Sequence, residues 1–143
     1  MHFVPVSSRS LTLSWRFGSP CPPFHADFNH VMALQMAGLG PTIISGDRDP
    51  ISFIPDPGWV GRRLADPGVK MVVVTNPCNP TGTVVPQETL QRISDACEAA
   101  GTWLVLDNTY EYFVYGDHAH HTIDAPHVIN LFSFSKAHGM MVL

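Results

Sequence analysis

Two lysines occur in the 143 residues, Lys70 and Lys136. The second lies in Ser133-Phe134-Ser135-Lys136-Ala137-His138-Gly139, directly after the apolar run Val128-Ile129-Asn130-Leu131-Phe132. A lysine amine becomes a nucleophile toward a carbonyl when burial or nearby cations lower its pKa. Taken by itself, Lys136 is more simply a solvated loop lysine. Two further stretches follow apolar runs in the same way: Asn76-Pro77-Cys78-Asn79-Pro80-Thr81-Gly82 and Asp107-Asn108-Thr109-Tyr110. An amide, a carboxylate with a phenol, and an amine are thus offered to what could be one crevice.

Each stretch carries its own physical argument. Pro77 and Pro80 fix their own φ, restrict Asn76 and Asn79, and remove two backbone donors. The result is a stiff turn presenting asparagine side chains, with Gly82 permitting a sharp exit. One Asn-Pro pair is an ordinary surface turn; a doubled pair closed by Thr-Gly after a buried strand is far more specific. Asp107 ends an apolar run, and a carboxylate buried there needs a partner, because an unpaired buried charge is costly. A helix cap or an arginine would satisfy it, and so would a cationic ligand atom. Tyr110 can place a phenol near the same point, whereas Tyr112 and Tyr115 are expected to pack on the sheet or its flank. Ser133 and Ser135 offer hydroxyls suited to a phosphate. His118, His120 and His121 cluster beside Asp117 and Asp124, but no ligand spacing joins them, so they read as a solvated, partly helical loop and no metal is assigned.

The elements that would position these groups follow from periodicity. Phe28 to Ala37 reads as a helix stopped by Gly38 and Gly40. Pro41 to Ser45 reads as a short strand, and Gly58 to Ala65 as a short helix. Val69 to Thr75 is an almost unbroken β-branched run, the pattern of a strand buried on both faces. Leu90, Ile93, Ala96 and Cys97, after Pro86, make an amphipathic helix ending at Gly101. Trp103 to Leu106 and His127 to Phe132 are two more buried strands. Strand, helix, strand with continuous apolar strands predicts an α/β fold: three layers, a mostly parallel sheet with flanking helices. Ligands of such sheets bind beyond the carboxyl ends of the strands. Asn79, Asp107 and Lys136 all follow strands at that end.

Composition bounds the rest. The length suits one domain. Charged residues are only 14%, against roughly 25% in typical soluble domains, which suggests that part of the surface is covered by other protein. Net charge is -4 with acids and bases scattered, so there is no footprint for nucleic acid or an anionic membrane. No apolar run approaches the ~18 residues of a membrane span. Cys21, Cys78 and Cys97 are odd in number and without ligand or disulfide spacing, which favours a reducing compartment and a cytoplasmic protein. Residues 1 to 26 contain no acid and several serines, a transit-peptide-like composition that leaves organelle import open. A misread or truncated start is the favoured explanation of that segment.

In this order and at these separations the three stretches resemble those of the class I/II aminotransferases, pyridoxal 5'-phosphate (PLP) enzymes of the aspartate aminotransferase fold type. The resemblance runs from about Phe28 to Met141. It implies that Lys136 carries the cofactor as a Schiff base and shuttles the substrate proton, and that Asp107 pairs with the pyridine nitrogen. It further implies that Asn79 and Tyr110 bond the phenolic oxygen, that Ser133 and Ser135 contact the phosphate, and that the Asn79-Pro80 peptide is cis. The reaction implied is transfer of an amino group between an amino acid and a 2-oxo acid by a homodimer when full length. Asp107 to Phe113 and His138 to Met141 look closest to a plant and algal branch acting on aromatic amino acids or methionine.

The departures are equally specific. The family's phosphate-binding arginine falls eight residues after the lysine, one position past Leu143. The small domain and the N-terminal glycine-rich loop have no counterpart, and Asp27 stands where the family stacks an aromatic ring on the cofactor. The chain is therefore expected to be residues 28–143 of a partial PLP-binding large domain, preceded by an unmatched segment 1–27, and inactive as it stands. A carbon-sulfur lyase or an aminocyclopropane-carboxylate synthase-like enzyme would use the same motifs. A non-catalytic homologue acting as an interaction module would retain neither cofactor nor lysine chemistry.

Overall fold

The computed structural model describes residues 11–14, 28–39 and 43–140. In chain order the elements are β1 (Leu11–Ser14), α1 (Phe28–Met36), β2 (Ile43–Ser45), α2 (Pro57–Leu64) and β3 (Val69–Thr75). α3 (Gln87–Ala99), β4 (Trp103–Asp107), β5 (Val128–Leu131) and α4 (Phe134–Ala137) follow. The strands form one sheet in the order β2-β1-β3-β4-β5, with every neighbouring pair parallel. β1 comes from the segment that sequence reading set apart, and it enters the sheet between β2 and β3. Residues 1–10 and 15–27, with Cys21 and Asp27, and residues 40–42 lie outside the described residues.

Local signals account for the helices. Asp56 caps α2 by accepting a hydrogen bond from Gly58 N at 2.8 Å, with Pro57 in the first turn and Arg62 and Arg63 in the last. That is the charge order the helix dipole favours. α3 buries Leu90, Ile93, Ser94 and Cys97 at three- and four-residue spacing and leaves Glu88, Gln91, Arg92 and Asp95 in water. Gly101, at φ +62, lets the chain turn back after it, with Thr102 N donating to Cys97 O.

Strand alternation divides the sheet into two faces. Val72 and Val74 of β3 stand in register with Leu104 and Leu106 of β4. They form one core with Val60 and Leu64 of α2 and with Leu90, Ile93 and Cys97 of α3. The other parity, Val73, Val105 and Asp107, faces the opposite side, where His30 of α1 meets Asp107. The result is three layers, as the strand pattern predicts.

The strand His127 to Phe132 departs from expectation. Periodicity alone reads it as buried, but Ile129 and Leu131 are 43% and 41% exposed, and Trp103 beside them is 51% exposed. β5 is an edge of the described sheet, and its outer face lies on the side opposite α2 and α3. Tyr112 and Tyr115, expected on the sheet or its flank, are exposed instead. Among the described residues no helix is long and apolar enough to cross a membrane.

Ile93 has no exposed surface and sits where α3 meets the sheet. Ile93→Ala is expected to lower stability by about 2–5 kcal/mol, whereas Ile129→Ala should cost no more than about 1 kcal/mol. Urea denaturation of the two variants checks the contrast.

Candidate functional site

The site is built by the register of three neighbouring strands. Thr75, Asp107 and Leu131 are successive Cα partners at the ends of β3, β4 and β5. The ladder then runs one residue further, with Asn76 N donating to Asp107 O at 2.9 Å and Asn108 N to Leu131 O at 2.8 Å. Three loops therefore leave one edge of the sheet side by side, and they carry all six residues singled out in the sequence.

The first loop is the double Asn-Pro turn. Both Asn76-Pro77 and Asn79-Pro80 are cis. Cys78 N donates to Thr83 O at 2.9 Å and Gly82 N to Cys78 O at 2.7 Å, while Gly82 takes φ +71, a conformation that favours glycine. This closed turn presents Asn79, whose Nδ2 donates to Tyr110 Oη at 3.3 Å across 31 residues. The pair forms the polar wall of an open cavity of about 380 Å³ whose other sides include Pro77, Val84, Phe113 and Tyr115.

The second loop begins at Asp107. Its Oδ2 lies 2.7 Å from His30 Nε2, and its Oδ1 accepts from Thr109 N at 3.0 Å and Thr109 Oγ1 at 2.6 Å. Burial raises the carboxyl pKa, but the bonds from His30 and Thr109 outweigh it, and the net value lies below the ordinary 3.8. The group is an anion at neutral pH, aimed to the α1 side. A carboxylate at this strand end is expected to take a helix cap, an arginine or a cationic ligand atom as its partner; within the chain the partner is a histidine instead. His30 lies 77 residues away on α1, and no local spacing links the two. The only available signal was that a carboxylate at a buried strand end wants any cation or donor, histidine included.

The third loop holds Ser133, Ser135 and Lys136. Ser133 caps α4, its Oγ accepting from Ser135 N at 3.2 Å and lying 2.7 Å from Ser135 Oγ. The two hydroxyls are thus one group. Lys136 stands in the last turn of α4 with its side chain exposed. The structure accordingly brings Asn79 to Tyr110 and Ser133 to Ser135, pairs Asp107 with His30, and places Lys136 on the same sheet edge. It does not bury the lysine among the described residues. His118 lines the cavity wall, and among the described residues no three metal-ligating side chains gather.

Because its folded pKa is depressed, Asp107 contributes stability that is complete above the ordinary carboxylate value and is lost as pH falls through the depressed one. Asp107→Asn is expected to cost about 1–3 kcal/mol at pH 7, and the difference from the parent should shrink toward pH 3. Thermal denaturation across that range measures it.

Residues 48–142 match the family model described as aminotransferase class I and II. An aromatic aminotransferase of Arabidopsis thaliana is 47% identical over 116 residues, 80% of this chain and 29% of that protein. A double mutant of Thermus thermophilus aspartate aminotransferase superposes with a TM-score of 0.72 at 24% identity, covering 92% of this chain and 32% of that one. A PLP-bound carbon-sulfur lyase of Staphylococcus hominis superposes with a TM-score of 0.74 at 19% identity, covering 94% and 33%. The chain thus spans about a third of the length of the proteins it matches.

Proposed function

The chain belongs to the class I and II aminotransferases, and from that membership we propose that it supplies the lysine-bearing, cofactor-holding part of a PLP-dependent aminotransferase. The observation that carries the proposal is the alignment, at one edge of a parallel sheet, of the Asn79–Tyr110 pair, the Asp107 carboxylate and the Ser133–Ser135–Lys136 turn. The donor set fits the cofactor. An anionic, acceptor-only carboxylate suits a protonated pyridine nitrogen. An amide beside a phenol suits a phenolic oxygen, two adjacent hydroxyls suit a phosphate, and a primary amine suits the aldehyde carbon. Residues 28–143, together with β1, then form part of the large domain.

Bound there, PLP supplies an electron sink for the pair left when a substrate Cα–H bond breaks. The chain's own residues do the rest. Lys136 Nζ would hold the cofactor at its aldehyde carbon, and as a free amine it would take the substrate Cα proton and return it. Asp107, held ionised by His30 and Thr109, would hold the ring nitrogen in its protonated form. Asn79 Nδ2 and Tyr110 Oη would hold the phenolic oxygen, and Ser133 and Ser135 the phosphate.

An aromatic amino acid and its 2-oxo acid are the proposed substrate class, a reading supported by the 47% identity to an aromatic aminotransferase. The likeness to the carbon-sulfur lyase, at 19% identity, supports the shared fold alone. Exposed Ile129, Leu131, Phe132 and Phe134, together with a charged fraction of only 14%, support burial of this side in a full-length homodimer.

Incubation with PLP, borohydride reduction and peptide mass mapping test the assignment. Label should enter Lys136 selectively over Lys70, which is exposed on β3, and Lys136→Ala should abolish it. Equal labelling of both lysines, or none, refutes the site.

A further inference from the structure

Behind the residues that face the crevice lies a polar layer on the core side of the sheet. Alternation carries the parity of Leu104 and Leu106 on to Asn108, so that Asp107 and Asn108 point to opposite faces. Asn76 and Asn108 are both fully buried. Their amide orientations are fixed by backbone groups. Val85 N donates to Asn76 Oδ1 at 2.8 Å, and Asn76 Nδ2 donates to His121 O at 3.3 Å. Asn108 Nδ2 donates to Leu106 O at 3.2 Å and to Asn130 Oδ1 at 3.1 Å, while Asn130 Nδ2 donates to Ile123 O at 2.9 Å.

Into this layer comes His120. Its Nε2 is 2.9 Å from Asn108 Oδ1 and 3.2 Å from Asn76 O. The second of these is a carbonyl, and the first is the oxygen of an amide whose nitrogen is committed elsewhere. Both are acceptors, so Nε2 carries a hydrogen and donates to each. Burial, joined by the charge of His121, pushes the ring below its ordinary 6.5 against the pull of Asn76 O and Glu111. His120 is therefore a neutral donor at pH 7.

The connections cross all three strand ends. Asn76 follows β3 and lies three residues before Asn79. Asn108 follows Asp107 and lies two residues before Tyr110. Asn130 is in β5, three residues before Ser133. We propose that His120 is a positioning residue, whose Nε2–H ties the ends of β3 and β4 and, through Asn108 and Asn130, the end of β5, so fixing the spacing of Asn79, Asp107 and Lys136. The proposal deepens the cofactor-crevice reading and rests on it for its functional consequence. Two buried acceptors are left unsatisfied when this donor is removed, and sites of this kind tolerate displacements of only about 0.5 Å in their reacting groups.

Nitrogen-15 NMR of the chain reads the tautomer directly: a hydrogen on His120 Nε2 is expected, and an Nδ1–H tautomer overturns the proposal without any variant. Two substitutions then test the tie. His120→Phe keeps a ring and removes the donor, whereas His120→Gln returns an N–H near the Nε2 position. In the phenylalanine variant, hydrogen exchange at the Val85 and Asn108 amides should rise about tenfold. The PLP concentration that half-labels Lys136 under borohydride should rise by about the same factor. In the glutamine variant both should return to within about threefold of the parent. A folded phenylalanine variant with unchanged exchange, or equal disturbance in the two variants, refutes the role of the donor. If the parent chain takes no label at Lys136, the cofactor reading fails, while the tautomer and the exchange data still decide the tie. If the phenylalanine variant does not fold, Asn130→Ala replaces it. That change cuts the branch to β5 together with the Asn130 Nδ2 bond to Ile123 O, and raised exchange at Asn108 with His120 still an Nε2–H donor supports the proposal, whereas unchanged exchange refutes it.

Discussion

Everything at the candidate site depends on the backbone ladder that holds β3, β4 and β5 parallel and in register. Parallel strands send their carboxyl ends to one edge, and here that edge places Thr75, Asp107 and Leu131 side by side. Bonds from Asn76 N to Asp107 O and from Asn108 N to Leu131 O extend the ladder to the residues that follow β3 and β4. A one-residue slip of β4 against its neighbours would send Asp107 to the core face and Asn108 to the crevice. The apolar cluster of Val72, Val74, Leu104 and Leu106 against α2 and α3 opposes such a slip, because it would expose that whole set.

The same alternation separates chemistry from support at the strand end. Asp107 turns to the α1 side, where its burial would push it toward neutrality, and there His30 and Thr109 keep it an anion. Asn108 turns inward, where a neutral amide can be buried at small cost because every one of its polar atoms has a partner. Neighbouring residues in the chain thus meet different demands: one holds a charge ready for a cationic ligand atom, the other stiffens the framework around it.

The exposed side of β5 is the counterpart of this organisation. α2 and α3 cover one face of the sheet, while Trp103, Ile129 and Leu131 stay partly in water on the other. A chain with few charges and an incompletely covered apolar face is physically suited to further protein contacts, in keeping with proteins of this family that are about three times as long.

Sequence alone determined whatever depends on near neighbours. The valines of β3, the spacing of Leu90, Ile93 and Cys97, the glycine stops and the doubled Asn-Pro turn each encode local conformation within a few residues, so the α/β layers and the sheet edge bearing Asn79, Asp107 and Lys136 were legible. Tertiary structure alone decided the pairing of His30 with Asp107 across 77 residues, the insertion of β1 between β2 and β3, and the joining of Asn76 to Asn108 by His120. It also decided that β5 is half exposed, which its apolar composition does not show. The physical reason is common to all four. Hydrogen-bond donors and strand edges carry no local period that names their partners, so only the packed chain selects them.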